Sequence, residues 1–430
     1  MNYFEELGID ARVSANLAQM GLSEPTPIQT RAIPALLDGR DVMGLAQTGT
    51  GKTAAFGLPI VTRLLEIGRR PNPGTCRALI LAPTRELATQ ISDNLQKYAS
   101  GTPVRTFRVV GGASLNVQAQ RLASGIDILV ATPGRLIDLL DRKALKLNEV
   151  RYLVLDEADQ MLDIGFIHAL RRIARLLPAE RQTMLFSATM PKLMDELSKS
   201  YLTNPVRVQV APPGKVADRI DQSVHFVNQG DKARLLAGML EKHPGELALV
   251  FGRTKHGCEK LMKLLAGWGH DVGAIHGNKS QGQRERALQA FRDGAITVLV
   301  ATDVAARGID IPDVRHVYNF DLPNVAENYV HRIGRTARAG RDGRAVAFCA
   351  PAEFNELKAI EKILRLSIPV SGGQAPSSAE ANTAAKAARQ RRGSGAGKGG
   401  HPQGNAGRPD AHQARPARRP SRRPRRARAA

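Results

Sequence analysis

Acidic residues, cysteines, aromatics and long apolar runs are all scarce in these 430 residues, and each shortage removes a class of protein. The three cysteines, Cys76, Cys258 and Cys349, stand far apart, with none of the short paired spacings that suit zinc or a redox disulfide. They read as buried thiols in a reducing compartment. No apolar run approaches the roughly 18 residues of a membrane span, and residues 1–6 lack the basic-then-apolar order of a signal peptide. A cytoplasmic, soluble protein is therefore expected. The last 60 residues contain no Val, Ile, Leu, Met or aromatic side chain, so nothing there offsets ordering entropy and disorder is expected. Acids are fewest in the same stretch, with 14 basic and two acidic residues from Ser371 onward, out of a total of 62 Lys+Arg against 40 Asp+Glu and a net charge of +22. Such a segment reads as a polycation that tethers nucleic acid, each neutralised phosphate adding about −0.7 to the salt slope on a single strand.

What is present is a regular alternation. Short apolar runs at 42–46, 78–82, 104–110, 128–131, 152–155 and 183–186 are separated by helical patterns, which argues for a mostly parallel sheet covered by helices. Ala211-Pro212-Pro213-Gly214-Lys215 interrupts the series and reads as a linker. A second series follows at 224–227, 248–251, 272–275, 296–301, 314–319 and 345–349, with a last helix at 352–366. The expected organisation is α/β, with two sheets of similar design: a first domain at 1–210, a linker at 211–218, a second domain at 219–370 and a basic tail at 371–430.

Two stretches of the first domain carry chemistry. The apolar run Leu153-Val154-Leu155 stops at Asp156-Glu157-Ala158-Asp159, placing carboxylates at the carboxyl end of a buried strand, where open α/β sheets hold ligands. Strand alternation would make Asp156 and Glu157 diverge, one toward a metal and one toward another atom. Upstream, Ala46-Gln47-Thr48-Gly49-Thr50-Gly51-Lys52-Thr53 lies between a strand and a helix, the context of a phosphate loop. Glycines there turn backbone N–H groups toward phosphate oxygens, Lys52 reaches the terminal phosphates, and the Thr53 hydroxyl can ligate Mg²⁺. Asp156 is the direct or second-sphere Mg²⁺ group, and Glu157 the group that orients and deprotonates the attacking water.

The base and the second half of the site can also be argued. Gln29 ends the stretch Gly21 to Gln29 with an amide, which can donate to adenine N7 and accept from N6 together, whereas guanine offers two acceptors. Asn278-Lys279 resembles a guanine motif, but Gln281 stands where that motif needs Asp. ATP is the expected nucleotide. His331, Arg335 and Arg338 are spaced i, i+4, i+7, and on a helix would share one face. Such a cationic face needs an opposing anion, and a triphosphate on the first domain would supply it. Arginine fingers of this kind contribute roughly 10³–10⁵ in rate, which would make hydrolysis conditional on closure.

With these motifs in order, the chain from about residue 4 to residue 366 resembles a DEAD-box RNA helicase, most closely the bacterial RhlE-like branch. The resemblance implies two tandem RecA-like domains and an RNA-dependent ATPase. Phe4 resembles the family's upstream aromatic and Gln29 its adenine-reading glutamine. Pro83-Thr84-Arg85-Glu86-Leu87-Ala88, Gly111-Gly112 and Thr132-Pro133-Gly134-Arg135 resemble its RNA-backbone motifs, and Ser187-Ala188-Thr189 the motif coupling ATP turnover to strand separation. In the second domain the resemblance has Asp310 meet the ATP ribose, and Thr254, Arg284, Thr302 and Arg307 meet phosphates. The implied partners are RNA, as single strands and short duplexes, and ribosomal or degradosome-type ribonucleoproteins; a monomer without membrane attachment is expected. Two positions depart from the family pattern. Leu22 replaces a common aromatic that stacks on adenine, and Ala337 replaces a usual glycine, which as the better helix former by roughly 1 kcal/mol would stiffen its segment.

Overall fold

The computed structural model describes residues 3–46, 49–210, 220–306, 311, 313–337 and 342–377, with 379–380, 382–384 and 386 beyond them. Contacts group residues 1–385 into one compact unit. Its first sheet contains β1 (Val42–Leu45), β2 (Cys76–Leu81), β3 (Thr106–Val109), β4 (Ile126–Ala131), β5 (Tyr152–Leu155), β6 (Gln182–Ser187) and β7 (Val206–Gln209). They lie in the order β3-β4-β2-β5-β6-β1-β7, every neighbouring pair parallel.

The second sheet contains β8 (Ile220–Phe226), β9 (Leu247–Phe251), β10 (Val272–Ile275), β11 (Val298–Ala301), β12 (Val314–Asn319), β13 (Gly343–Cys349) and β14 (Val370–Gly372). Its order, β10-β11-β9-β12-β13-β8-β14, repeats the first with each strand seven places on, again all parallel. Two RecA-like sheets are thus built on one topology. Strands such as β2, β4 and β6 are buried along their whole length, which is why they read as unbroken apolar runs and not as alternating ones. Helices cover the faces: Val154 and Ile80 belong to one apolar cluster and Leu153 and Leu79 to another, as side chains alternate across the sheet.

Several expected boundaries move. Two edge strands, β7 and β14, were not foreseen: β7 is half exposed and carries Arg207 and Gln209, and β14 spans three residues. Because β14 runs to Gly372, the ordered chain continues past the expected boundary at 370. The last long helix is Phe354–Leu364, preceded by a 3-10 turn, so it is shorter than 352–366. Trp268, the single tryptophan, caps the helix Lys255–Gly267 and is 43 % exposed. The linker at 211–218 and residues 387–430 of the tail lie outside the described residues. All three cysteines are free and buried, and desolvation pushes each thiol up to about 12. Among the described residues no helix is long and apolar enough to cross a membrane.

Candidate nucleotide and nucleic-acid site

The carboxyl ends of the first sheet gather the acids and the phosphate loop. Gly49 and Gly51 take φ of 87° and 90°, left-handed values that an L side chain resists. Gly51 also caps the 16-residue helix Lys52–Ile67, so that helix presents its amino-terminal N–H groups and positive dipole end at the loop. A Cβ on Gly51 would come within 2.4 Å of Gln29 Nε2. Lys52 is 6 % exposed, its Nζ has no hydrogen-bond acceptor among the described residues, and it forms an ion pair with Asp156 Oδ1 at 3.7 Å. A buried ammonium held this way is costly alone and fits an arriving phosphate. Gln47 and Thr48 lie outside the described residues, while Thr53 is half-buried on the first helical turn.

Asp156 extends the β5 ladder by one bond, its N–H donating to Leu81 O at 3.0 Å. The strand ends there. Glu157 has φ 49°, a left-handed residue beyond the end of β5, so the strand alternation expected to separate it from Asp156 does not apply there. The Glu157 N–H donates to Asp156 Oδ1 at 2.9 Å, and Oδ2 takes no hydrogen bond from the described residues. Burial, opposed by Lys52, pushes the Asp156 carboxyl up to about 6. Asp159, which the sequence reading assigned no role, accepts from the Thr189 N–H at 2.9 Å and from Thr189 Oγ1 at 2.8 Å. Ser187 Oγ donates to Thr189 O at 2.7 Å, and Ala46 N–H donates to Ser187 O at 3.0 Å. The acidic turn, the Ser187–Thr189 segment and the start of the phosphate loop therefore form one connected set.

Gln29 is buried at the third position of the helix Pro27–Leu37. Its Oε1 accepts from Thr26 N–H at 2.9 Å and its Nε2 donates to Gly51 O at 3.0 Å. One N–H and one acceptor site of the amide remain for a base, so base contact and phosphate-loop position share a side chain. Phe4 is buried at 1 % in the core beside this helix.

The expected backbone-gripping residues line up on neighbouring strand ends. Thr84 caps the helix Arg85–Tyr98, accepting from Leu87 N–H at 3.2 Å, with Pro83 buried before it. The Arg85 guanidinium lies across Gly111 and Gly112, where a Cβ on Gly112 would sit 2.2 Å from Nη1, so the glycines make room for it. Thr132 caps the helix Pro133–Asp141 without using its hydroxyl on that helix, and Arg135 Nη1 donates to Ala113 O at 2.9 Å. In the second domain Thr254 is exposed at the start of the helix Lys255–Gly267 and Thr302 is half-buried beyond β11. Arg284 is turned to a different partner: its Nη2 lies 2.9 Å from Glu86 Oε2, both side chains nearly buried. Arg85 Nη1 approaches Gln281 Oε1 at 3.5 Å beside it. Glu86 thus bridges the two sheets, a role its position between Arg85 and Leu87 in sequence did not disclose.

The cationic segment does not form one helical face. The helix Glu327–Ile333 stops at Gly334; His331 is on its last turn and Arg335 lies beyond it, 4 % exposed, with Nε donating to His331 O at 3.2 Å. Arg338, Arg307 and Asp310 lie outside the described residues. The i, i+4, i+7 geometry is therefore replaced by a helix end followed by a turn.

Comparison with known proteins agrees with this geometry. Residues 26–197 match the family model of the DEAD/DEAH box helicases, and residues 231–340 match the helicase conserved C-terminal domain. The ATP-dependent RNA helicase CshA of Listeria monocytogenes is 44% identical over 84% of this chain and 69% of its own length. The RNA helicase CrhR of Synechocystis is 45% identical over 85% of this chain and 74% of its own. This chain belongs to the DEAD-box helicases. Among solved structures, S. cerevisiae Dbp5 bound to RNA and ADP BeF3 matches with a TM-score of 0.76 at 33% identity, covering 86% of this chain and 95% of that one. Mss116p bound to ssRNA and AMP-PNP matches at 0.78 and 28% identity, covering 89% and 81%.

Two features of this DEAD-box chain were misjudged or missed. Ala337 has φ 55°, a left-handed residue outside any helix, so alanine there is strained and does not stiffen a helix. That conformation explains why glycine suits the position. Arg332, between the expected His331 and Arg335, is 1 % exposed: its Nη2 donates to Asp303 Oδ2 at 2.8 Å and its Nη1 to Asn319 Oδ1 at 3.1 Å, with Phe251 stacked at 5.1 Å. It anchors the turn that carries Arg335. Leu22 is 38 % exposed ahead of Gln29.

Proposed function

We propose that this ATP-dependent RNA helicase grips the RNA backbone without reading sequence and opens short duplexes locally, hydrolysis to ADP and phosphate resetting the closed two-domain state. The observation that carries the reading is a buried Lys52 with no hydrogen-bond acceptor among the described residues, together with a bridge from Glu86 to Arg284 across the two sheets. ATP would satisfy Lys52, and Mg²⁺ would be held by Thr53 and Asp156, neutralising the phosphates. Asp156 fits, since it is buried, anionic above about 6 and commits only Oδ1 to the protein. Mg²⁺ keeps several waters in such sites, so two protein ligands suffice.

In this mechanism Glu157 holds the attacking water and takes its proton, while Lys52 and Arg335, with Arg338, meet the charge that develops on the transferred phosphoryl group. Gln29 would take the adenine and Asp310 the ribose, while Phe4, expected at the base, is buried in the core behind the Gln29 helix and would act only by supporting it. Pro83, Thr84, Arg85, Gly112, Thr132, Arg135, Thr254, Thr302 and Arg307 would contact RNA phosphate and sugar, with Arg284 closing the domains through Glu86. Preference for RNA is supported by the names of CshA and CrhR and by the RNA in the Dbp5 and Mss116p structures. A cytoplasmic monomer of the RhlE-like branch serving ribosomal or degradosome-type ribonucleoproteins is supported by the sequence resemblance. The basic tail from about residue 386 would raise the local concentration of RNA.

The test is a single-turnover assay on a short RNA duplex. A nonhydrolysable ATP analogue should support one round of opening, and Glu157→Gln should behave with ATP as the parent does with the analogue. If neither opened a duplex that ATP opens in the parent, hydrolysis would be the power step and not the release step.

A further inference from the structure

The end of the second sheet opposite the nucleotide and RNA residues carries a cluster that the helicase mechanism does not use. His243 and Glu246 lie on the turn between the helix Lys232–Leu240 and β9, and His316 on β12. A His243 nitrogen, a Glu246 oxygen and a His316 nitrogen all lie within 4.8 Å of one another. Glu246 Oε2 bonds His316 Nε2 and stands 4.0 Å from His243 Nδ1. The rings of His243 and His316 stack at 4.3 Å, and His316 is 4 % exposed, so the strand fixes one donor while the other two ride on a turn. An open cleft of about 850 Å³, lined also by Asp221, Arg315, Asp342 and Arg344, gives access.

We propose that His243, Glu246 and His316 form a binding site for a transition-metal cation of the zinc class. Two imidazoles and one carboxylate are a donor set that suits such ions and not Mg²⁺, which takes oxygen ligands. Bond lengths of about 2.0–2.2 Å to all three donors require them to draw in from within 4.8 Å of one another, a movement of the turn that carries His243 and Glu246 toward His316. A solvent molecule would fill the remaining position. Arg344 is paired with Asp221 at 3.7 Å, so its charge is offset locally. The ion would clasp the entry to β9 onto β12, away from Lys52 and Asp156. The alternative is a metal-free ladder of stacked rings, His243, His316 and Tyr318, with Glu246 accepting from His316.

Full-length protein stripped with chelator and free of Mg²⁺ and nucleotide is titrated with Co²⁺, whose visible bands report nitrogen and oxygen ligation, and the bands are then bleached with Zn²⁺. The expected result is one tight Co²⁺ per chain, displaced by Zn²⁺, with affinity at least about tenfold weaker in His243→Ala and in Glu246→Gln. His243 is half-buried and Glu246 exposed, so both variants should fold, which circular dichroism and an unchanged RNA-stimulated ATPase would verify. Zn²⁺ should raise the melting temperature of the parent and not of either variant. Absence of the bands in the parent, or bands of equal affinity in parent and variants, would overturn the proposal.

Discussion

The two sheets share one strand order, and each follows its first strand with a helix whose first residue is a buried lysine: Lys52 after β1, Lys232 after β8. The two lysines differ in what meets the ammonium. Lys232, 0 % exposed, donates to Phe320 O at 2.7 Å and to Glu353 Oε2 at 2.5 Å, with Asp321 at 3.7 Å. Phe320 and Asp321 follow β12, where Asp156 and Glu157 follow β5. Lys52, by contrast, has among the described residues no hydrogen-bond acceptor and only Asp156 at 3.7 Å. Its helix is capped by the left-handed Gly51, whereas Asp231 caps the other in a right-handed conformation. One copy of the fold keeps its cationic pocket open for phosphate; the other has closed it with an internal carboxylate. On that difference rests our proposal that the first sheet binds the nucleotide while the second supplies Arg335 and the bridging Arg284.

Exchanging the roles of the two lysines should therefore give opposite failures. Lys52→Ala should lower ATP turnover by about 10³, measured at steady state, while the protein still folds, because Asp156 can take up a proton. Lys232→Met should do the reverse, destabilising the fold by about 1–3 kcal/mol, because Glu353 would keep Arg253 at 2.7 Å but Phe320 O and Glu353 Oε2 would lose their shared buried donor. Urea denaturation would show it, with nucleotide affinity of the folded protein retained. If Lys232→Met instead removed ATP binding and left stability intact, the comparison would be wrong.

The bridge between the sheets should have a smaller effect. Arg284→Ala and Glu86→Ala should each reduce RNA-stimulated ATP turnover about tenfold or more, and the double variant should be no worse than either single one if the pair acts as a unit. A double-mutant cycle on that rate checks it. Smallest of all, Ala337→Gly should stabilise the protein by up to about 1 kcal/mol, since glycine adopts φ 55° without strain at some cost in unfolded-state entropy. A thermal melt would read the shift.

How much of this was legible depended on whether the cause was local. Central strands buried on both faces, such as β2, β5 and β11, read directly from their apolar runs, and the loop ending at Lys52-Thr53 from its glycines and flanking elements. Edge strands β7 and β14 were missed because half-exposed, polar or very short strands lack that signature. Helical periodicity extended the cationic stretch through Arg338, but Gly334 ended the helix and Ala337 turned left-handed, which spacing alone did not disclose. The partners of Glu86, Lys232 and Arg332 lie 198, 121 and 29 positions away, in Arg284, Glu353 and Asp303, so only the fold brings them together.

The central claim, that RNA draws the second sheet onto a nucleotide held by the first, is tested most directly by steady-state ATP hydrolysis of the full chain and of one ending at Ala385. Each would be assayed without nucleic acid, with single-stranded RNA and with DNA of the same sequence. Strong stimulation by RNA alone in both chains is the predicted result, with the shorter chain needing more RNA at low salt. Equal stimulation by DNA would point to a DNA translocase, and no stimulation at all would contradict the account.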